Sequence, residues 1–149
     1  MYLTQHTDYA LRVLTYAAVN NDRLVNIATI ADVYGISKSH LMKVVTSLVK
    51  NGFLDTARGK GGGLKLSRPA EEICIGEVVR RMEPMRLVEC MGADNQCLMT
   101  SCCRLSNVLN GAVAAFLVHL DQFTLADLIN QPTINLLYEP KVYLVAEVS

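Results

Sequence analysis

The sequence predicts a mainly α-helical fold with a small β-hairpin wing: a winged helix-turn-helix domain over residues 1–70, then a cysteine-bearing loop, a long dimerisation helix and a tail over residues 71–149. Three observations predict it. Segments with apolar residues at helical spacing open the chain, the second and third separated by Gly35. Two short strand-like runs then bracket a glycine-rich cationic tip, Arg58-Gly59-Lys60-Gly61-Gly62. Charge also divides the chain, because residues 1–70 carry nine Lys and Arg against four Asp and Glu, while residues 71–149 carry five against ten. A net charge of zero therefore conceals a basic half suited to nucleic acid and an acidic half with another task.

The elements follow in order. Asp8–Val19 reads as a helix with Leu11, Leu14 and Ala18 on one face, Thr7 placed to cap it and Asn20-Asn21-Asp22 to close it. Asn26 caps a short helix, Ile27–Tyr34, and Gly35 supplies the turn, where a positive φ costs glycine nothing. Ser37 caps a third helix reaching about Asn51, with a core stripe of Leu41, Val44, Val45, Leu48 and Val49. The strands are expected at Phe53–Ala57 and Gly63–Leu66. A fourth helix, Ile75–Glu83, stops at Pro84, and residues 90–103 read as a loop. From Cys103 to about Asp121 a broad apolar stripe, Leu105 through Leu120, predicts a helix roughly 28 Å long. A short helix is expected over Thr124–Ile129, and the apolar tail from Pro132 is left unassigned.

Helix, short helix, glycine turn, helix and basic hairpin make a winged helix-turn-helix, whose third helix enters the major groove of double-stranded DNA. Ser37, Lys38, Ser39, His40 and Lys43 are polar where their neighbours are apolar, so they are the candidates for bases and phosphates. Arg58 and Lys60 set cations on the wing, where its glycines allow close approach to the duplex. The glycine run is not a nucleotide loop: the GxxxxGK[ST] spacing is missing and Lys60 precedes a glycine. No carboxylate pair or nucleophile–base arrangement points to an enzyme.

Composition narrows the remaining classes. With 51% hydrophobic and 19% charged residues the chain can build a core, which excludes wholesale disorder. The most apolar run, Gly111 to Leu120, is too short to span a bilayer, and Gln5, His6, Asp8 and Arg12 break any signal-like stretch, so a cytoplasmic protein is expected. Five cysteines, four of them between positions 90 and 103, make a disulfide framework a poor reading in a reducing compartment. The spacing Cys90-x6-Cys97-x5-Cys103, with Cys102 adjacent, lacks the paired C-x2-4-C pattern of zinc sites. It suits an iron–sulfur centre better, with one of Cys102 and Cys103 in the ligand set and a fourth ligand either from elsewhere or absent, while a metal-free thiol switch stays open. Cys74, between two isoleucines, reads as a buried structural thiol, and His119 as structural.

Several stretches together carry a resemblance. Tyr2-Leu3-Thr4 with Thr7-Asp8-Tyr9-Ala10-Leu11, Tyr34-Gly35-Ile36-Ser37 to Leu41, the wing Arg58 to Gly63, Glu83-Pro84-Met85 with Leu87-Val88-Glu89-Cys90, Cys103-Arg104-Leu105, and Phe123 to Leu128 all take part. Over about residues 1–130 the chain resembles the NsrR group of bacterial nitric-oxide-sensing repressors, within a wider family of winged-helix regulators that includes the iron–sulfur regulator IscR. The resemblance implies a homodimer whose long helix crosses its partner. It also implies a [4Fe–4S] cluster held by Cys90, Cys97 and Cys103 of one subunit and Asp8 of the other, with nitric oxide releasing a palindromic operator when it reacts with the cluster. The alternative within the same family is a [2Fe–2S] regulator of the IscR type.

Overall fold

The computed structural model describes residues 2–139, and the last ten residues, which include Pro140 of the apolar tail, lie outside them. Six helices and one hairpin follow in order: α1 (Gln5–Val19), α2 (Ile27–Tyr34), α3 (Lys38–Lys50), β1 (Leu54–Ala57), β2 (Gly63–Leu66), α4 (Ile75–Met82), α5 (Arg104–Leu120) and α6 (Gln131–Leu137). Single 3-10 turns lie at Ala70–Glu72, Glu89–Met91 and Ala126–Leu128. The mostly helical fold with a two-stranded antiparallel wing is the class the sequence predicts.

α1 begins three residues earlier than expected, because Thr4 rather than Thr7 is its N-cap: the Thr4 side chain accepts the Thr7 N–H at 3.4 Å. Thr7 lies inside the first turn, fully buried. α2 and α3 start where their caps predict, with Asn26 accepting from Ala28 N–H at 2.8 Å and Ser37 from His40 N–H at 3.3 Å. Gly35 closes α2 at φ +62, the left-handed region that favours glycine. The buried side chains of this half include Leu14, Tyr16, Ile30, Leu41, Leu48 and Phe53. Phe53 stays out of the hairpin because its N–H returns to Leu48 O at 3.0 Å, so β1 starts at Leu54, opposite Leu66. The wing is anchored from its other side as well, since Val25 and Leu64 exchange two backbone hydrogen bonds of 2.8 Å.

α4 ends at Met82, one residue short of expectation, since Glu83 precedes proline and turns extended (φ −105, ψ 133). The expected helix over Thr124–Ile129 is reduced to one 3-10 turn. Leu125 N–H bonds to Ile73 O at 2.8 Å and Ile75 N–H to Phe123 O at 2.9 Å, which spends those backbone groups on bridging to the entry of α4. Cys74, at that crossing, is half-buried rather than buried, and its thiol faces Asp121 Oδ1 at 3.6 Å. Asp121 is also held by Arg80 at 2.5 and 2.6 Å, and this pairing lowers its pKa from the ordinary carboxylate value.

The unassigned tail contains α6, capped by Asn130 with Pro132 in the first turn. Its end is gripped by Asn20, a fully buried polar side chain at the C-terminus of α1. Asn20 Nδ2 donates to Leu137 O at 3.0 Å and to Tyr16 O at 3.1 Å, and its Oδ1 accepts Glu139 N–H at 2.9 Å. Tyr16 donates its hydroxyl to the Glu139 carboxylate.

Candidate nucleic-acid interface and cysteine loop

Capping and core packing together aim α3 outward. Leu41, Val44, Val45 and Leu48 are buried, which turns Lys38, Ser39, Met42, Lys43 and Thr46 to the surface. Arg58 and Lys60 stand exposed at the wing tip. A groove of about 280 Å³ runs between Lys38 and Met42 on α3 and Thr56, Ala57 and Gly63 on the wing. Ser37 is exposed with its hydroxyl engaged as a cap. His40 is half-buried, its ring edge-on to Tyr9 with centroids 5.0 Å apart. Met42, apolar and half exposed, lies one turn from Lys38 on the line that continues to Thr46.

Asp8 lies in the first turn of α1, where Arg12 holds both its oxygens: Nη2 to Oδ2 at 2.8 Å and Nε to Oδ1 at 3.2 Å. The hydrogen bond that Arg12 donates to Asp8 raises the Arg12 pKa, and the guanidinium lies 5.7 Å from both the Tyr9 and Tyr34 ring centres. Tyr34 donates its hydroxyl to Arg12 O at 3.2 Å, and burial raises its pKa. One charged and aromatic cluster thus spans α1, the end of α2 and the start of α3.

Four of the five cysteines lie on the long connection between α4 and α5. Cys90 falls in a 3-10 turn and is half-buried, Cys97 and Cys102 are exposed, and half-buried Cys103 occupies the N-cap of α5. All five thiols are free. The loop is closed on itself, because Glu89 Oε1 accepts Gln96 N–H at 2.9 Å and Cys97 O accepts the Thr100 hydroxyl at 2.6 Å. Among the described residues no three of His, Cys, Asp and Glu are gathered tightly enough to hold a metal ion on one chain. As a donor set, three or four unpaired thiols on one short loop fit an iron–sulfur centre.

α5 buries none of its residues fully. Leu109, Val113, Phe116, Leu117 and Leu120 are half-covered by their own chain, whereas Leu105, Val108 and Val118 are 56%, 65% and 60% exposed. No helix among the described residues is long and apolar enough to cross a membrane.

A helix-turn-helix with a cationic wing, followed by a long helix, is the architecture of a winged-helix transcription regulator. The chain belongs to the Rrf2 family, described as iron-dependent transcriptional regulators, which its residues 3–131 match. Solved structures agree on the fold. T. potens IscR superposes with a TM-score of 0.68 at 22% identity, covering 86% of this chain and 85% of its own. The global cysteine regulator CymR of B. subtilis gives 0.63 at 21% identity over 86% and 95%. A transcriptional regulator from Listeria innocua gives 0.65 at 25% identity over 97% of each chain.

Proposed function

We propose that this regulator is a homodimeric DNA-binding repressor that senses nitric oxide through a [4Fe–4S] cluster. The observation that carries the reading is the loop of free thiols leading directly into an α5 along which Leu105, Val108 and Val118 stay exposed. Cys90, Cys97 and Cys103 of one subunit would hold the cluster with Asp8 of the partner subunit, and the three thiols, which are not gathered on the single chain, would draw together around it. When bound, the cluster supplies iron able to react with nitric oxide.

The chain's own residues do the rest. Leu105, Val108 and Val118 provide apolar surface for the second copy. Asp8 exchanges Arg12 for the shared site, which frees a guanidinium that otherwise holds it two-pronged. Tyr9, next on α1, lies against His40 at the start of α3, so a change in the setting of α1 reaches the reading head. Lys38, Ser39 and Lys43, with the capped Ser37 and the half-buried His40 beside them, face the major groove, and Arg58 and Lys60 grip the flanking backbone. A dimer reads half-sites about 34–36 Å apart, so a small rotation between subunits spoils the match to a palindromic operator.

The test is anaerobic purification followed by iron, acid-labile sulfide, visible absorbance and operator affinity, each before and after nitric oxide. About four irons and four sulfides per chain, with absorbance and operator binding both lost on nitric oxide, support the reading. About two irons per chain would make it a [2Fe–2S] regulator of the IscR type. Protein that binds no metal on reconstitution, yet responds to thiol oxidation, would overturn the cluster and leave a thiol switch.

A further inference from the structure

The first turn of α1 is completed by a residue far away in sequence. In a capping box the third helical residue is Glu or Gln, and its side chain accepts the N–H of the N-cap. Here that residue is Thr7, and the acceptor is Glu83, in the extended stretch that leaves α4. Glu83 Oε2 accepts Thr4 N–H at 3.0 Å, the Thr4 hydroxyl at 3.0 Å and the Thr7 hydroxyl at 2.5 Å. Thr7 is fully buried and Glu83 half-buried, which shields these bonds from water. A carboxylate at a helix N-terminus is favoured by the helix dipole as well. Beyond Glu83, Pro84 fixes its own φ, and Met85 takes φ +40, a value few non-glycine residues adopt. Cys90 follows seven residues after Glu83. One carboxylate oxygen therefore joins the root of the cysteine loop to the turn that carries Asp8.

We propose that Glu83 is a positioning residue that locks the first turn of α1 to the base of the cysteine loop, so that displacement of the loop is passed to Asp8, Tyr9 and, through His40, to α3. The proposal deepens the sensing reading above and rests on it for the signal, though the lock is a property of the chain itself. A contact that only stabilised the fold would change the melting temperature and leave the coupling between loop and DNA untouched.

The experiment compares wild type, Glu83→Ala, Glu83→Gln, Thr7→Val and the double variant Thr7→Val/Glu83→Ala, as full chains, cluster-loaded and chelator-stripped. Three quantities are read: iron content, operator affinity, and amide hydrogen exchange at Thr7 to Tyr9. In wild type, stripping is expected to weaken operator binding by about tenfold or more and to speed exchange in α1. Glu83→Ala and Thr7→Val should keep their iron while the loaded-to-stripped ratio falls to within about twofold. Glu83→Gln, which keeps a carbonyl acceptor, should fall between, and the double variant should be no worse than either single one. A full wild-type ratio in Glu83→Ala, or additive losses in the double variant, overturns the proposal. If wild-type operator affinity is indifferent to the cluster, the sensing reading fails, and stripped protein alone then judges the lock. There Glu83→Ala must speed exchange both at Asp8 and across residues 86–103, and unchanged exchange overturns it.

Discussion

Asn20→Ala tests how the end of the described chain is attached to the C-terminus of α1. Asn20 is fully buried and makes three hydrogen bonds. Tyr16 O keeps another donor in the variant, since Asn20 N–H bonds to it at 3.1 Å whatever the side chain. Two backbone groups are orphaned: Leu137 O, on a buried residue, and Glu139 N–H, on a half-buried one that water can reach. An unsatisfied buried group costs about 1–3 kcal/mol and the half-exposed one less, so Asn20→Ala should destabilise by about 2 kcal/mol. Asn20→Asp keeps the acceptor for Glu139 but turns a carboxylate oxygen toward two carbonyls, so its loss should be larger, about 3 kcal/mol or more. Urea unfolding of the full chain, followed by circular dichroism at one protein concentration, measures both. With a slope of about 2 kcal/mol per molar urea, the midpoint for Asn20→Ala should fall by about 1 M. An Asn20→Ala midpoint equal to wild type, or Asn20→Asp more stable than Asn20→Ala, would refute the reasoning.

The wing, the α5 face and the Tyr16 clasp give three further expectations. A Cβ at Gly62 would lie 2.2 Å from Ala57 O, so Gly62→Ala must distort the tip; operator affinity in a gel-shift titration should fall at least about tenfold with iron content unchanged. Val108→Glu puts a charge on the exposed face of α5, and light scattering should show a dimer for wild type and a monomer for the variant, with loss of operator binding alongside. Burial first, and then its hydrogen bond to Glu139, raise the Tyr16 pKa well above its ordinary 10.0. The unfolded chain loses this proton near its ordinary value while the folded chain keeps it. Stability is therefore full below about pH 10 and falls as the pH rises beyond it, and in Tyr16→Phe that part of the alkaline slope in urea midpoints should vanish.

What the sequence determined by itself is what local chemistry decides. Asn26, Gly35 and Ser37 set the limits of α2 and α3, because a cap acts on amides two or three residues away and a left-handed turn needs only its own glycine. The hairpin itself follows from two strand runs close enough to meet across a short loop, although Phe53 falls outside it. The outward residues of α3, Lys38 and Lys43 among them, follow from the helical period once the core stripe is known. The free-thiol loop and its absence of a zinc pattern were equally legible.

Tertiary structure decided the rest, and in each case through a partner distant in the chain. Thr7 looked like a cap because its hydroxyl lies near a helix start, but Glu83, 76 positions away, claims that hydroxyl and leaves the capping to Thr4. The helix expected after Thr124 is a single 3-10 turn, its N–H groups bonding three residues back and Ile129 turning extended (φ −99, ψ 103), while Leu125 N–H bridges to Ile73 O. The tail carried no periodic signal strong enough to assign, yet Asn20 gives its end two hydrogen bonds inside the protein, to Leu137 O and Glu139 N–H. His40, polar by type and positioned for a base edge, rests its ring on Tyr9. A side chain's type states what bonds it can make; which of them it makes depends on whatever the fold brings within about 3 Å, and no local window contains that.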